Sequence, residues 1–218
     1  MLNIIFMGPP GAGKGTQAAH IVDEFKIPHI STGDMFRDNI ARKTPLGLQA
    51  KHIIESGGLV PDEVTCAMVK DRLAQDDCAQ GYLLDGFPRT LPQAEELERI
   101  GRELGRPVTA VIDLAVPEPI LIARIAGRRV CPDCGASFHI QTMKPKVAGI
   151  CDRCGGKLIQ RKDDNAESFK TRLRNYYEST APIADFYKAR GCYAVVDGSA
   201  PQQEIVDNIV AILKEKAR

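Results

Sequence analysis

A glycine-rich loop near the N-terminus has the residues and spacing of a phosphate-binding site. The segment Gly8-Pro9-Pro10-Gly11-Ala12-Gly13-Lys14-Gly15-Thr16 follows an apolar run and precedes a helical pattern. Its glycines let several backbone N–H groups point at one anion, and Lys14 adds a full charge beside the positive end of the helix. A tight strand-to-helix turn would also use glycines, but the spacing G-x-x-x-x-G-K favours the phosphates of a nucleotide.

One residue of this loop departs from the general motif. Where Ser or Thr usually follows the lysine, the chain has Gly15 and then Thr16. The hydroxyl that normally binds Mg²⁺ is therefore displaced by one position. The sequence leaves open whether Thr16 contacts Mg²⁺.

Four of the seven cysteines form two Cys-x-x-Cys pairs. Sixteen residues separate the pair Cys131 and Cys134 from the pair Cys151 and Cys154, and a glycine follows each pair. Four thiolates at this spacing predict a structural tetrahedral Zn²⁺ site, although iron and cobalt accept the same ligands. Two disulfides or a redox pair are the alternatives. His139 could replace one cysteine, but we expect it to face solvent.

The elements that must hold these residues alternate between short apolar runs and helical patterns, which predicts β-α units and a parallel sheet. The predicted strands are apolar at nearly every position, as in strands covered on both faces. They are Leu2–Met7, Ile27–Ile30, Tyr82–Leu84, Val108–Leu114 and Tyr193–Val196. Helices are predicted to begin at Lys14, Gly33, Pro61, Leu91, Glu118, Glu167 and Pro201.

Two segments interrupt this alternation. Residues 31–60 have helical patterns and no strand, whereas residues 127–164 contain the cysteine pairs, several glycines and few large aliphatic side chains. The second segment cannot bury much apolar surface, so we expect a metal ion to stabilise it. The predicted organisation is one core of residues 1–30, 61–126 and 165–218 with two insertions.

The composition excludes a strong general attraction to nucleic acid or membranes. There are 29 basic and 28 acidic side chains, and the apolar run at the N-terminus is too short for a signal peptide or a membrane span. We therefore expect a cytoplasmic protein, where reducing conditions disfavour disulfides. The single cysteines Cys66, Cys78 and Cys192 are expected to be buried thiols.

Further motifs resemble those of the adenylate kinase family, and they occur in that family's order. The form GPPGAGKGT with its extra glycine is similar to the family's phosphate loop. The other matching segments are Ser31–Arg37, Asp85-Gly86-Phe87-Pro88-Arg89 with Gln93 after it, Gly127-Arg128-Arg129, Arg161-Lys162-Asp163-Asp164, and Arg172. The resemblance extends from Ile4 to the last helix and is to the long-lid, zinc-binding bacterial type of these nucleoside-monophosphate kinases.

This resemblance implies an α/β fold of the P-loop NTPase type, with a parallel five-stranded sheet flanked by helices. It also implies a helical NMP-binding insertion at 31–60 and a small metal-binding lid at 127–164. The implied reaction is ATP + AMP = 2 ADP by direct in-line transfer, with closure of both insertions. Mg²⁺ would accompany ATP, Zn²⁺ would be structural, and the chain would act as a monomer without nucleic-acid or membrane partners.

The resemblance also implies a role for each matched residue. The ATP-binding residues would be Gly11, Ala12, Gly13, Lys14, Gly15, Thr16, Arg124, Arg128, Ser137, Phe138, Arg172 and Ala200. The AMP-binding residues would be Thr32, Arg37, Gly58, Leu59, Val60, Gly86, Phe87, Pro88, Arg89, Gln93 and Arg161. The catalytic residues would be Lys14, Arg89, Arg128, Arg161 and Arg172. Asp85 would hold Mg²⁺ through a water molecule; a cap of the following turn is its alternative role.

The chemistry of these residue types is consistent with phosphoryl transfer. The reaction crowds negative charge around one point, and arginine stays charged while it offers bidentate contacts to phosphate oxygens. Arg37 and Arg89 lie beside glycines in loops after predicted strands, where ligands bind in open α/β sheets.

Other functions stay open at this stage. A kinase acting on UMP, CMP or GMP is the nearest alternative, but a lid of 38 residues favours adenylate kinase. A GTP:AMP kinase is a second alternative. A nucleotide-switched zinc ribbon that binds nucleic acid would need a basic aromatic surface, and residues 131–160 contain only Phe138 as an aromatic.

The two insertions also predict motion. Water must be kept from the transferred phosphoryl group, so both insertions should close over the nucleotides before the chemical step. Our hypothesis is that lid opening limits turnover, with hinges near Gly127 and Asp163–Asp164.

Overall fold

The computed structural model describes residues 1–216 of the chain. Five parallel strands form the main sheet in the order β2-β3-β1-β4-β7. These strands are β1 (Leu2–Met7), β2 (His29–Ser31), β3 (Gly81–Asp85), β4 (Ala110–Ala115) and β7 (Tyr193–Asp197). Two further strands, β5 (Arg128–Val130) and β6 (Ser137–His139), pair antiparallel in a small separate sheet. The predicted parallel five-stranded sheet is confirmed.

Helices connect the strands and cover both faces of the sheet. They are α1 (Lys14–Phe25), α2 (Thr32–Ala41), α3 (Pro45–Glu55), α4 (Asp62–Leu73), α5 (Leu91–Leu104), α6 (Glu118–Gly127), α7 (Ala166–Asn175), α8 (Ile183–Lys188) and α9 (Gln202–Lys216). A 3-10 turn covers Asp76–Cys78, and a π-helical segment, Tyr176–Thr180, follows α7. Among the described residues, no helix is long and apolar enough to cross a membrane.

The alternation of side chains along β1 divides the core between the two faces of the sheet. Ile4 and Phe6 point to the face covered by α1 and α9. Ile5 and Met7 point to the other face, where side chains of α4, α5 and α8 pack. Because all four side chains are buried, the sheet is apolar on both sides, as the continuous apolar strands predicted.

The sheet register brings the polar ends of several strands to one edge. Ser31 at the end of β2 lies opposite Asp85 at the end of β3, and Phe6 near the end of β1 lies opposite the same aspartate. Met7 pairs with Asp113 of β4 on the other side. The phosphate loop after β1 therefore lies between the ends of β3 and β4, where open parallel sheets bind ligands.

Several predicted boundaries differ from the structure by one or two residues. Strand β2 begins at His29 rather than Ile27, although Ile27 is buried just before it. Helix α2 begins at Thr32 rather than Gly33, because the Ser31 side chain caps it by accepting a hydrogen bond from the Asp34 amide. Pro61 is the N-cap residue of α4 rather than its first helical residue. Helix α8 and the lid strands were not predicted.

Candidate active site

The phosphate loop encloses the side chain of Lys14. Gly11 and Gly13 have φ values of 87° and 98°, which an L-residue with a side chain rarely adopts. The ammonium of Lys14 donates to the carbonyl oxygens of Gly8 and Pro9 at 2.7 and 3.0 Å. Burial lowers the pKa of Lys14 to about 8, although Asp85 opposes the change. A phosphate at this loop would favour the charged form of the lysine.

Asp85 ends β3 beside the phosphate loop. A Cβ atom placed on Gly15 would lie 3.7 Å from its Oδ2, so the carboxylate faces the position where the general motif has its hydroxyl. His29 Nε2 lies 3.6 Å from the same oxygen. Burial alone would raise the pKa of Asp85, but His29 and Lys14 outweigh it and hold the pKa below its usual value. The sequence did not indicate His29, which is apparent only from the pairing of β2 with β3.

A cleft between the 31–60 insertion and the core is lined by cationic side chains and by small or apolar ones. Arg37, Arg89 and Arg172 provide the cations. The remaining lining residues are mostly small or apolar and are Thr32, Gly33, Phe36, Ile54, Gly57, Gly58, Leu59, Val60, Thr65, Gly86, Gln93 and Asp163. The cleft therefore brings together eight of the eleven residues predicted to bind AMP. The arrangement could hold a ligand with an anionic group and an apolar ring.

Hydrogen bonds fix the polar residues of this cleft. Thr32 Oγ1 donates to the Gly86 carbonyl at 2.8 Å, and Arg89 Nε donates to the same oxygen at 2.7 Å. Gln93 Oε1 accepts from the Arg89 amide at 2.7 Å, while Gln93 Nε2 donates to Asp62 Oδ1 at the same distance. Asp62 was not singled out from the sequence, because an acid in the first turn of a helix is common for other reasons.

Three residues predicted to bind AMP lie outside the lining of this cleft. Phe87 is 1% exposed and packs in the core, and it precedes Pro88 through a cis peptide bond. Arg161 lies near the end of the lid segment, and its Nη2 atom is 3.5 Å from Asp34 Oδ1.

Arginines and acidic residues cluster between the cleft and the lid. Arg128 forms a bidentate pair with the fully buried Asp164, with its Nε 2.9 Å from Oδ2. Arg172 contacts Asp163 at 2.8 Å and Asp164 at 3.8 Å. Burial lowers the pKa of Arg172 to about 10, and nearby cations add to the change.

Arg161 is the least satisfied member of this cluster. Burial, together with Arg37 and Arg128, lowers its pKa to about 10. Its Nε atom is buried without a hydrogen-bond partner in residues 1–216. Such crowding of buried cations is unfavourable unless an anion compensates it, so the cluster could hold several phosphate groups.

The two insertions also contact each other and α7. Lys162 Nζ lies 3.1 Å from Glu55 Oε1. Ser168 Oγ donates to the Glu55 carbonyl at 2.9 Å, and Asn175 Nδ2 donates to the Gly57 carbonyl at 3.1 Å. The end of the lid and the end of the 31–60 segment therefore meet above the cleft.

The remaining residues predicted to bind ATP lie in four separate segments. Arg124 of α6 donates to the Ala12 carbonyl at 3.1 Å and to the Gly198 carbonyl at 2.9 Å. Ala200 follows the same β7-α9 turn and packs against the core. Ser137 and Phe138 lie in β6 of the lid. Thr16 is half-buried in the first turn of α1.

The four paired cysteines of the lid meet at one point. Their sulfur atoms all lie within 4.8 Å of one another, with 3.4 Å between Cys131 and Cys154 and 3.5 Å between Cys134 and Cys151. A tetrahedral Zn²⁺ with Zn–S distances of about 2.3 Å would place its sulfurs at about 3.8 Å from each other. The donor set therefore fits a metal ion, and its separations exceed the about 2.05 Å of a disulfide.

Both cysteine pairs are held by the same turn. The amide of Gly135 donates to the Cys131 carbonyl at 3.0 Å, and the amide of Gly155 donates to the Cys151 carbonyl at 2.9 Å. Both glycines have positive φ values, of 73° and 77°. The repeated turn explains why a glycine follows each Cys-x-x-Cys pair. Of the single cysteines, Cys66 and Cys78 are buried, as predicted, whereas Cys192 is only half-buried.

The side chain of His139, which we expected to face solvent, is only partly exposed, and it lies outside the sulfur cluster. Its ring packs over Gly127, where a Cβ atom would overlap it. Its Nε2 lies 3.2 Å from the Ala123 carbonyl, and Nδ1 accepts hydrogen bonds from the amides of Gln141 and Thr142. The ring thus joins the lid to the end of α6.

The fold and this site together define a P-loop phosphotransferase of the nucleoside-monophosphate kinase class. The sequence model of the family described as adenylate kinase matches residues 6–192. The adenylate kinase of Clostridium tetani is 50% identical over 212 residues, which cover 97% of this chain and 98% of the relative. Those of Caldanaerobacter subterraneus subsp. tengcongensis and Carboxydothermus hydrogenoformans are 51% and 50% identical and cover 95% and 98% of this chain, and 94% and 100% of their own lengths. The chain belongs to the adenylate kinase family.

Proposed function

We propose that this chain carries out the adenylate kinase reaction, ATP + AMP = 2 ADP, by direct in-line transfer in the cleft described above. The observation that carries the proposal is the convergence of Lys14, Arg89, Arg128, Arg161 and Arg172 at the carboxyl edge of the sheet. Positioning and charge stabilisation are the main requirements of phosphoryl transfer, and five buried or half-buried cations supply them.

AMP would occupy the cleft beside the 31–60 insertion. Its phosphate suits the cationic side chains of Arg37 and Arg89, and its base suits the apolar side chains of Leu59 and Val60. Gln93 would contact the edge of the base. Thr32, Gly58, Gly86, Phe87 and Pro88 complete the proposed AMP site, and Arg161 would bridge the two nucleotides with Arg172.

ATP would bind with its phosphates in the loop Gly11–Thr16. Arg124 lies between this loop and the turn before Ala200, where the adenosine of ATP would reach. Arg128 would approach the phosphates from the lid, while Ser137 and Phe138 would cover the nucleotide. This assignment gives the donor and the acceptor separate walls of one cleft, as direct transfer between nucleotides requires.

Asp85 is the residue that we propose for holding Mg²⁺ through a water molecule. Its carboxylate faces Gly15 beside the phosphate loop, and its lowered pKa keeps it ionised. When bound with ATP, Mg²⁺ neutralises part of the charge that develops on the phosphates. His29 would keep the carboxylate in place.

The lid and the 31–60 insertion would close over the nucleotides to exclude water. The proposed division of the chain is a core of 1–30, 61–126 and 165–218, an NMP-binding insertion of 31–60 and a lid of 127–164. We propose Gly127 and Asp163–Asp164 as hinges, with lid opening as the slow step. A clear burst of ADP in the first turnover would support that order of steps, and its absence would contradict it.

A structural Zn²⁺ on Cys131, Cys134, Cys151 and Cys154 would hold the shape of the lid. All four positions of a tetrahedral ion would be filled by thiolates, which leaves none for a substrate. The chain would act as a monomer in the cytoplasm, and its near-neutral charge favours the absence of nucleic-acid partners.

The acceptor assay tests this proposal directly. Formation of ADP from ATP is measured with AMP, GMP, UMP and CMP as separate acceptors, and AMP should be preferred by a wide margin. Equal turnover of UMP would contradict the AMP assignment. The same assay with GTP as the donor separates this function from a GTP:AMP kinase.

Replacing Lys14 with Met tests the phosphate loop. We expect kcat to fall by about 10²–10³-fold, because a buried cation that contacts the transferred charge is lost. The exposed Lys170 of α7 offers a control, and Lys170→Met should keep its activity. Near-normal turnover of a folded Lys14→Met variant would show that the loop does not bind the donor phosphates.

A further inference from the structure

Asp62 determines which way the amide group of Gln93 is turned. Asp62 Oδ1 accepts from Gln93 Nε2 at 2.7 Å, while Gln93 Oε1 accepts from the Arg89 amide at 2.7 Å. A carboxylate can only accept hydrogen bonds and a backbone N–H can only donate them. If the Gln93 amide were reversed, its oxygen would face the Asp62 carboxylate and its N–H group would face the Arg89 N–H, and both contacts are repulsive. Both neighbours therefore enforce one orientation.

Asp62 is itself fixed by the start of a second helix. Its Oδ2 accepts from Thr90 Oγ1 at 2.7 Å, and Thr90 Oγ1 caps α5 by accepting from the Gln93 amide N–H at 3.3 Å. The network thus joins the first turn of α4 to the first turn of α5. Because Thr90 occupies Oδ2 of Asp62, the other carboxylate oxygen, Oδ1, is held against Nε2 of Gln93.

The amide of Gln93 keeps one bonding position at each end. A primary amide has two N–H donors and two acceptor lone pairs, of which Asp62 and Arg89 each occupy one. The side chain is 2% exposed and lines the proposed AMP cleft. One N–H and one lone pair are therefore left for a ligand, in an order that the protein has already set.

The fixed positions of the free N–H and the free lone pair of Gln93 distinguish adenine from guanine. On its Watson–Crick edge, adenine presents an amino donor at position 6 beside the acceptor N1, and an amide can bind both with its two ends. On the equivalent edge, guanine presents an oxygen acceptor at position 6 beside an N–H donor. The two patterns are inverted, so an amide that can flip serves either base and an amide held in one orientation serves only one.

We propose that Asp62 is a specificity-determining residue that makes the acceptor site select adenine over guanine by holding the Gln93 amide. It acts through Gln93 and is therefore a positioning residue. The inference rests on the proposed AMP site, because it requires the base to lie against Gln93.

The central experiment replaces Asp62 with Asn, which has nearly the same shape. An asparagine can present either an oxygen or an N–H group, so the Arg89 amide is then the one remaining group that favours the native orientation of Gln93. We expect KM for AMP to rise about tenfold and the AMP-to-GMP ratio of kcat/KM to fall about tenfold, as for one lost orienting hydrogen bond. kcat at saturating AMP and KM for ATP should change by less than about twofold.

A matched control and a double variant separate this role from a structural one. Glu63→Gln removes the same charge from the next, exposed residue of α4 and should leave every constant unchanged. Gln93→Leu should itself raise KM for AMP. Because Asp62 acts through Gln93, the variant with both substitutions should discriminate no worse than Gln93→Leu alone.

The possible failures are distinguishable. An Asp62→Asn protein with a lower melting temperature but an unchanged KM and base ratio would overturn the inference and leave the AMP site intact. An unchanged KM for AMP in Gln93→Leu would overturn the AMP site and the inference together. If Asp62→Asn does not fold, Asp62→Ser keeps a small polar residue in the first turn of α4 but removes the carboxylate, and an unchanged base ratio in that variant would overturn the inference.

Discussion

The two insertions of this kinase are stabilised in different ways. The 31–60 segment contains helices α2 and α3, which pack on each other and enclose the buried side chains of Phe36, Ala50 and Val60. The lid has only two three-residue strands and a small cluster around Cys131, Cys151 and Leu158. One insertion therefore has an apolar core, whereas the other has four cysteine ligands that fit a metal ion.

This difference shows that a segment with a small apolar core needs another source of internal stability. In the 31–60 insertion, Phe36 and Val60 belong both to its apolar core and to the lining of the cleft. The lid separates the two tasks, because its cysteines hold its shape while Arg128 and Arg161 face the charged cluster. Damage to the two insertions should therefore have different effects on activity.

Removal of the metal from the lid should have the largest effect on stability. Chelation, or Cys151→Ser, should lower the melting temperature by well over ten degrees, because structural zinc sites contribute about 10 kcal/mol or more in isolated fingers. Differential scanning calorimetry with and without added Zn²⁺ measures this change.

The half-buried Cys192 provides the control for that experiment. Cys192→Ser should shift the melting temperature little, since its sulfur lies outside the lid. At temperatures below the unfolding transition, the turnover of the chelated protein or of Cys151→Ser should be reduced less than its thermal stability. If a still-folded Cys151→Ser protein loses all activity, the site has a catalytic role and the two insertions are more alike than we infer.

Gly47→Ala should have the next largest effect on stability, and the effect should be confined to the 31–60 insertion. A Cβ atom on Gly47 of α3 would overlap the backbone of Asn39 and Ile40 at the end of α2, so the two helices must separate. We expect a cost of about 1–3 kcal/mol, as for other overpacked sites. KM for AMP should rise, while KM for ATP should stay nearly constant.

The exposed Lys51 on the same helix gives a matched control. Lys51→Ala introduces the same side chain without an overlap, so its steady-state constants should equal those of the unmodified protein. An equal rise in both KM values for Gly47→Ala would mean that the insertions do not respond independently.

The smallest effect should come from Asp34→Asn, which weakens the contact between the insertions. Asp34 is partly exposed and contacts both Arg37 and Arg161, so its loss should cost no more than about 1 kcal/mol. Urea denaturation at neutral pH measures the difference in the free energy of unfolding.

The pH dependence of this contact has a definite sign. Burial would raise the pKa of Asp34, but Arg37 and Arg161 outweigh it and hold the pKa below its usual value. A carboxyl whose pKa is lowered on folding stabilises the folded state above the unfolded pKa, and this contribution is lost as pH falls through the folded pKa. The stability difference between the unmodified protein and Asp34→Asn should therefore shrink below about pH 4. A difference that grows in acid would contradict the assignment.

Many features of the protein follow from residues that lie close together along the chain. The phosphate loop and the two cysteine turns are local, because the backbone conformation that they need is set by glycines at fixed positions. The apolar strands Leu2–Met7 and Tyr193–Val196 could be predicted because burial on both faces leaves a continuous apolar run. These signals were sufficient to predict the sheet and the sulfur ligand set.

The tertiary structure decided what depends on distant segments. His29 reaches Asp85 only because β2 pairs with β3, and Phe87 is buried among core side chains that are distant from it in the sequence. Asp62 meets Gln93 only because two helices begin side by side. Local spacing determines which chemical groups a chain carries, whereas the orientation of an amide or the pairing of an arginine depends on neighbours that only the folded chain brings together.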